Sequence, residues 1–81
     1  MKATVLVRPK EGILDPQGDA VRGSLGHLGF LVREARVGRL IDLDVDATSA
    51  QEARAAVEQM CVRLLANPLI ESFEVSIEDD S

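Results

Sequence analysis

Leu40-Ile41-Asp42-Leu43-Asp44-Val45-Asp46 alternates strictly, with Ile41, Leu43 and Val45 on one side of an extended chain and three aspartates on the other. A period of two with one wet face is the pattern of an antiparallel strand. The run before it, Val32 to Val37, reads as a second strand. Gly38-Arg39 between them reads as a tight hairpin or a bulge, because glycine allows the positive φ that a reversal needs.

Towards the N-terminus, Asp15-Pro16 is a helix start: the aspartate accepts from free N–H groups and proline fits the first helical position. The helix is expected from Pro16 to Leu28, with Val21, Leu25 and Leu28 on one face and Gly29 as its stop. Gly18, Gly23 and Gly26 lie inside it. Each costs about 0.8–1 kcal/mol relative to alanine, which implies weak helicity or the close approach of another backbone. Ahead of it, Ala3 to Arg8 reads as a strand with Val5 and Val7 on one face, ended by Pro9.

Towards the C-terminus, Ser49-Ala50-Gln51-Glu52 is a capping box in which serine and glutamate each satisfy a backbone donor. Ala53, Val57, Met60, Cys61 and Leu64 then form one apolar stripe of a helix, which Asn67-Pro68 closes. A last strand is expected from Leu69 to Ile77, with Phe73, Val75 and Ile77 alternating with polar residues, before a solvated tail, Glu78 to Ser81. The order β-α-β-β-α-β is the ferredoxin-like α+β arrangement, an antiparallel sheet with two helices on one face, in a single domain spanning 1–81.

The chain has 81 residues and a net charge of −5, so it lacks the basic face that a nucleic acid requires. With two Phe and no Trp or Tyr it cannot stack bases either. The single cysteine, Cys61, cannot form an intrachain bridge, and no Cys/His cluster offers a zinc site. No export signal or membrane span is legible, and a reduced cytosol is the simplest location. A core this small and aliphatic is thin, which points to a homodimer or a higher oligomer.

The remaining candidates for chemistry read as structural. His27 is the only histidine and has no partner base or nucleophile arranged with it. Cys61 lies in the apolar stripe, where a thiol behaves as a small hydrophobe. Asp42, Asp44 and Asp46 point the same way into solvent instead of converging on a cation. The loop Gly12 to Gly18 leads to a helix N-terminus that favours an anion, but Asp15 already occupies those donors.

Gly12-Ile13-Leu14-Asp15-Pro16-Gln17-Gly18, Leu28-Gly29-Phe30, Val37-Gly38-Arg39 and Leu64-Leu65-Ala66-Asn67-Pro68-Leu69-Ile70-Glu71 together resemble the PurS family over nearly the whole chain. That family is the small subunit of phosphoribosylformylglycinamidine synthase. The resemblance implies a dimer or a dimer of dimers that helps join a large synthetase subunit, which holds ATP and Mg, to a glutaminase subunit. It implies no catalytic residue, cofactor or metal on this chain. The expected contacts with sister subunits are Asp15, Pro16, Gln17, Arg36, Gly38, Arg39, Asn67 and Pro68. Arg39→Glu is expected to weaken assembly and leave the fold intact. A sensor of the ACT type shares the topology and is the alternative. An acylphosphatase-like enzyme shares it too, but Gln17-Gly18-Asp19-Ala20 lacks the arginine its anion loop needs.

Overall fold

A computed structural model describes residues 1–78. The elements are β1 (Lys2–Pro9), α1 (Pro16–His27), β2 (Arg39–Asp44), α2 (Ala50–Met60), a π-helical turn (Cys61–Leu65) and β3 (Glu71–Glu78). The strands form one antiparallel sheet in the order β2-β1-β3. The ferredoxin-like α+β class expected from the sequence stands. Residues 79–81 of the expected acidic tail lie outside the described residues; Glu78 closes β3.

The inner face of the sheet follows the period of two. Val5 sits opposite both Ile41 and Val75, and Ala3 opposite Leu43 and Ile77. Ala3, Val5, Val7, Val57 and Cys61 are buried and form the core with Val45 and Ala66. Complete burial of a valine contributes roughly 1.5–3 kcal/mol, so this short list carries most of the apolar stabilisation.

α2 starts as read. Ser49 Oγ accepts from the Glu52 amide at 3.1 Å, but the Glu52 carboxylate takes the Thr48 hydroxyl at 2.7 Å, so only half of the capping box forms. The apolar stripe holds through Ala53, Val57 and Cys61 and then fails: Leu64 is 83% exposed and Met60 also faces solvent. The cause is the π turn. The Ala66 amide donates to the Cys61 carbonyl at 3.0 Å, one residue further along than in an α-helix. That extra residue rotates Leu64 outwards and brings Leu65 and Ala66 to the core.

α1 differs most from expectation. It does not pack on the sheet, whereas α2 lies over β3 and β1. The long dimension of the molecule is 49 Å, close to an eight-residue strand of about 26 Å plus a twelve-residue helix of about 18 Å laid end to end. The radius of gyration is 16.0 Å, against about 12 Å for a compact chain of this length. α1 therefore projects from the end of the sheet as an arm. It ends as expected: Gly29 has φ +95°, its amide donates to Gly26, and the Phe30 amide reaches back to Leu25.

The expected strand Val32–Val37 and its hairpin at Gly38 do not form within the chain. Residues 30–38 return along α1 outside any ladder and lead straight into β2. The β1–β2 register ends at Val7 opposite Arg39, so no intrachain strand lies beside 32–37. Gly38 does not have a positive φ. Glycine is required there because a Cβ would lie 2.2 Å from the Val7 carbonyl oxygen. The residue serves a close approach of two strands, not a reversal.

Candidate subunit interface

Three of the four stretches that carry the resemblance, 12–18, 37–39 and 64–71, are far apart in sequence and meet at one end of the sheet. A groove there is lined by Asp15, Gln17, Gly38, Arg39, Ile70 and Glu71, among others. Lys10 ties the two sides together: its amide donates to the Ile70 carbonyl at 2.9 Å and its side-chain Nζ to the Pro68 carbonyl at 2.8 Å.

Asp15 joins two of these stretches. One carboxylate oxygen accepts from the Gly18 amide at 3.0 Å, capping α1, and the other accepts from the Val37 amide at 2.9 Å. These bonds, Val37's first and Gly18's second, hold its pKa below the ordinary value. Gly18 is buried against the returning segment, where a Cβ would lie 2.2 Å from the Ala35 carbonyl oxygen. The close approach anticipated for the helical glycines is thus found at Gly18, while Gly23 and Gly26 face open space.

Arg39 and Asn67 form the other half. The Arg39 guanidinium makes two bonds to the Glu71 carboxylate, at 2.7 and 3.0 Å, and a third to the Leu65 carbonyl at 2.6 Å. It thereby ties β2 to β3 and to the last turn after α2. Glu71 also accepts from the Asn67 amide at 2.8 Å, and the Asn67 side chain accepts from the Leu69 amide at 3.1 Å. The Arg39 bond first, then the Asn67 amide, lower the pKa of Glu71, and the same carboxylate raises that of Arg39. The carboxylate suited to Arg39 is thus the chain's own. Arg39→Glu would set two carboxylates against each other, so it cannot be neutral to the fold.

Pro16 and Arg36 are exposed, Pro16 at the first turn of α1 and Arg36 on the returning segment. Glu71, inside the resembling motifs, had been given no role; its signal was its place four residues after Asn67. Leu14 on the groove is 81% exposed; at the far end of α1 Leu28 is 72% exposed and Leu31 fully, with Phe30 beside them. His27 lies exposed in the last turn of α1. Cys61 is buried, and desolvation followed by the nearby Glu58 charge raises its pKa. Among the described residues no group of His, Cys, Asp or Glu is placed to hold a metal. No described helix is long and apolar enough to cross a membrane. The arrangement supplies apolar contact area and a rigid polar frame.

Comparison with known proteins gives one consistent result. The family model PurS, described as phosphoribosylformylglycinamidine (FGAM) synthase, matches residues 2–79. The chain is similar to the phosphoribosylformylglycinamidine synthase subunit PurS of Methanocaldococcus jannaschii, with 37% identity over 95% of this chain and 94% of that one. It is similar to the same subunit of Bacillus subtilis, with 35% identity over 96% and 93%. The crystal structure of M. jannaschii PurS superposes with a TM-score of 0.86 at 36% identity, covering 99% of this chain and 98% of that one. A chain of the Thermotoga maritima PurLQS structure gives 0.84 at 32% identity, covering 93% of each.

Proposed function

This chain belongs to the PurS family of phosphoribosylformylglycinamidine synthase, and from that premise we propose that it is the small, non-catalytic subunit of such a ligase. In this reading it forms a homodimer or a dimer of dimers and joins a large synthetase subunit to a glutaminase subunit. ATP and Mg are held by the large subunit and no cofactor by this chain. The complex converts formylglycinamide ribonucleotide to formylglycinamidine ribonucleotide, with glutamine as amide donor.

The observation that carries the reading is the unpartnered arm. An 8.8 kDa chain exposing 6100 Å² shows on the order of 1,000 Å² more surface than a compact monomer of its mass. A standard interface takes about 800 Å² from each partner. The excess coincides with exposed Leu14 at the rigid groove and with exposed Leu28, Phe30 and Leu31 at the far end of the arm, exposed turns where a recognition surface is expected.

The test is size-exclusion chromatography of the chain alone and mixed with the large and glutaminase subunits. The expected result is a dimer or larger alone and one ternary peak in the mixture. A monomer that leaves the other two subunits unassociated contradicts the reading.

A further inference from the structure

The outer face of the sheet, turned away from α2, keeps its charges apart. Ala3, Val5 and Val7 of β1 are buried in the core, so the alternate residues Lys2, Thr4, Leu6 and Arg8 point outwards. At one end Asp44 and Glu78 flank Lys2, and Asp42 accepts from the Thr4 hydroxyl at 3.2 Å. At the other end Leu6 lies opposite Leu40, and Arg8 lies opposite the uncharged Ser72. A cavity of about 480 Å³ opens there, lined by Leu6, Arg8, Arg36, Gly38 and Leu40 among others, a size that suits a small ligand. Main chain forms its floor, because Gly38 lies so close to β1 that a Cβ would meet the Val7 carbonyl oxygen at 2.2 Å and the Arg8 Cα at 3.3 Å. We propose that this cavity binds the phosphate group of a phosphate monoester between the guanidiniums of Arg8 and Arg36. The site goes beyond the assembly reading and does not depend on it.

Three observations support the site. First, neither Arg8 nor Arg36 has a carboxylate within 4 Å among the described residues. The nearby acids are engaged or apart: Asp15 feels the charge of Arg36, but its two oxygens accept from the Gly18 and Val37 amides. Glu71 is held by Arg39, whose guanidinium turns to the inner face and the Leu65 carbonyl, while Glu34 and Glu74 make no ion pair. Second, the number of donors fits phosphate better than carboxylate. Arg39 shows that one guanidinium fork satisfies both oxygens of a carboxylate in this chain. Two unpaired forks facing one cavity match a group with three terminal oxygens and nearly two negative charges. Third, Leu6 and the 57% exposed Leu40 give the cavity an apolar wall for the carbon skeleton of the ligand. Neither phenylalanine lines it, so a nucleobase finds nothing to stack on. The acids at the other end of the face also steer an anion towards the arginines.

The test is calorimetric titration of the full chain with ribose 5-phosphate at constant ionic strength. Binding is expected, with none for ribose and with AMP bound as ribose 5-phosphate is. Arg8→Ala and Arg36→Ala remove exposed side chains and should leave the urea midpoint unchanged while weakening binding about tenfold each, the loss of one charge-assisted contact. Arg63→Ala removes the same charge from an exposed position outside the cavity and should leave affinity unchanged. Absence of ribose 5-phosphate binding overturns the site, as does binding that survives both Arg8→Ala and Arg36→Ala or that falls equally in Arg63→Ala. AMP bound where ribose 5-phosphate is not, or glutamate bound as tightly as ribose 5-phosphate, overturns the assignment to phosphate. Each of these failures leaves the assembly reading standing, because chromatography with the sister subunits tests that reading separately.

Discussion

Arg39 on β2 reaches past β1 to Glu71 on β3 and holds its carboxylate with two parallel hydrogen bonds of 2.7 and 3.0 Å. The bond unites both outer strands at the end of the sheet where the groove lies, and the Leu65 carbonyl adds the last turn after α2 to the same guanidinium. An exposed pair of this kind contributes little by itself. Its value here is geometric, because the planar fork fixes three elements relative to one another.

The pH dependence follows from the sign of the shift. Glu71 and Asp15 both have folded-state pKa values below their ordinary ones. Their contributions are therefore complete above about pH 4.3 and 3.9, the unfolded values, and vanish as pH falls through the lowered folded ones. Urea midpoints between pH 7 and 2.5 are expected to fall in that acid window. Glu71→Gln should start lower and fall less steeply; an identical slope for the variant contradicts the assignment.

Glycine substitutions separate close approach from helix propensity. Gly18→Ala and Gly38→Ala drive a Cβ to 2.2 Å from a backbone oxygen, so both should lower the thermal midpoint. Gly23→Ala meets nothing within 4 Å in the chain and should stabilise the monomeric fold by up to about 1 kcal/mol.

Asp15→Ala removes the acceptor shared by Gly18 and Val37 while leaving the sheet core intact. Amide exchange should quicken at Gly18 and Val37 and remain slow in β1. Association with the sister subunits should weaken more than the unfolding midpoint shifts.

Cys61→Ser places a hydroxyl in the apolar contact between α2 and the sheet, a change that costs about 1–3 kcal/mol in denaturant unfolding. Because Cys61 is completely buried, it should react with a maleimide in the native protein only at the rate of unfolding. Rapid labelling of the folded protein contradicts its placement.

The strands were legible because Val5, Val7, Ile41, Leu43, Val75 and Ile77 obey a period of two that one buried face enforces. Asp15, Ser49 and Gly29 were legible because each satisfies a local backbone need. What escaped depends on partners distant in sequence. The π turn at Cys61–Leu65 shifts the stripe by one residue, and no local pattern marks it. Val32 and Val37, five residues apart, fall on opposite faces of an extended chain, so the run between them lacks the alternation of β2, and Asp15 takes the Val37 amide. Arg39 is recognisable as a fork for a carboxylate, while its choice of Glu71, 32 residues away, follows only from β2 and β3 flanking β1.

The central claim is that this chain contributes assembly, with the chemistry residing on its sister subunits. The most direct measurement is the rate of formylglycinamidine ribonucleotide synthesis by the large and glutaminase subunits, with and without this chain, using glutamine or ammonia as nitrogen donor. The expected result is that glutamine-dependent synthesis requires the chain and ammonia-dependent synthesis does not. Equal glutamine-dependent rates in its presence and absence would contradict the claim.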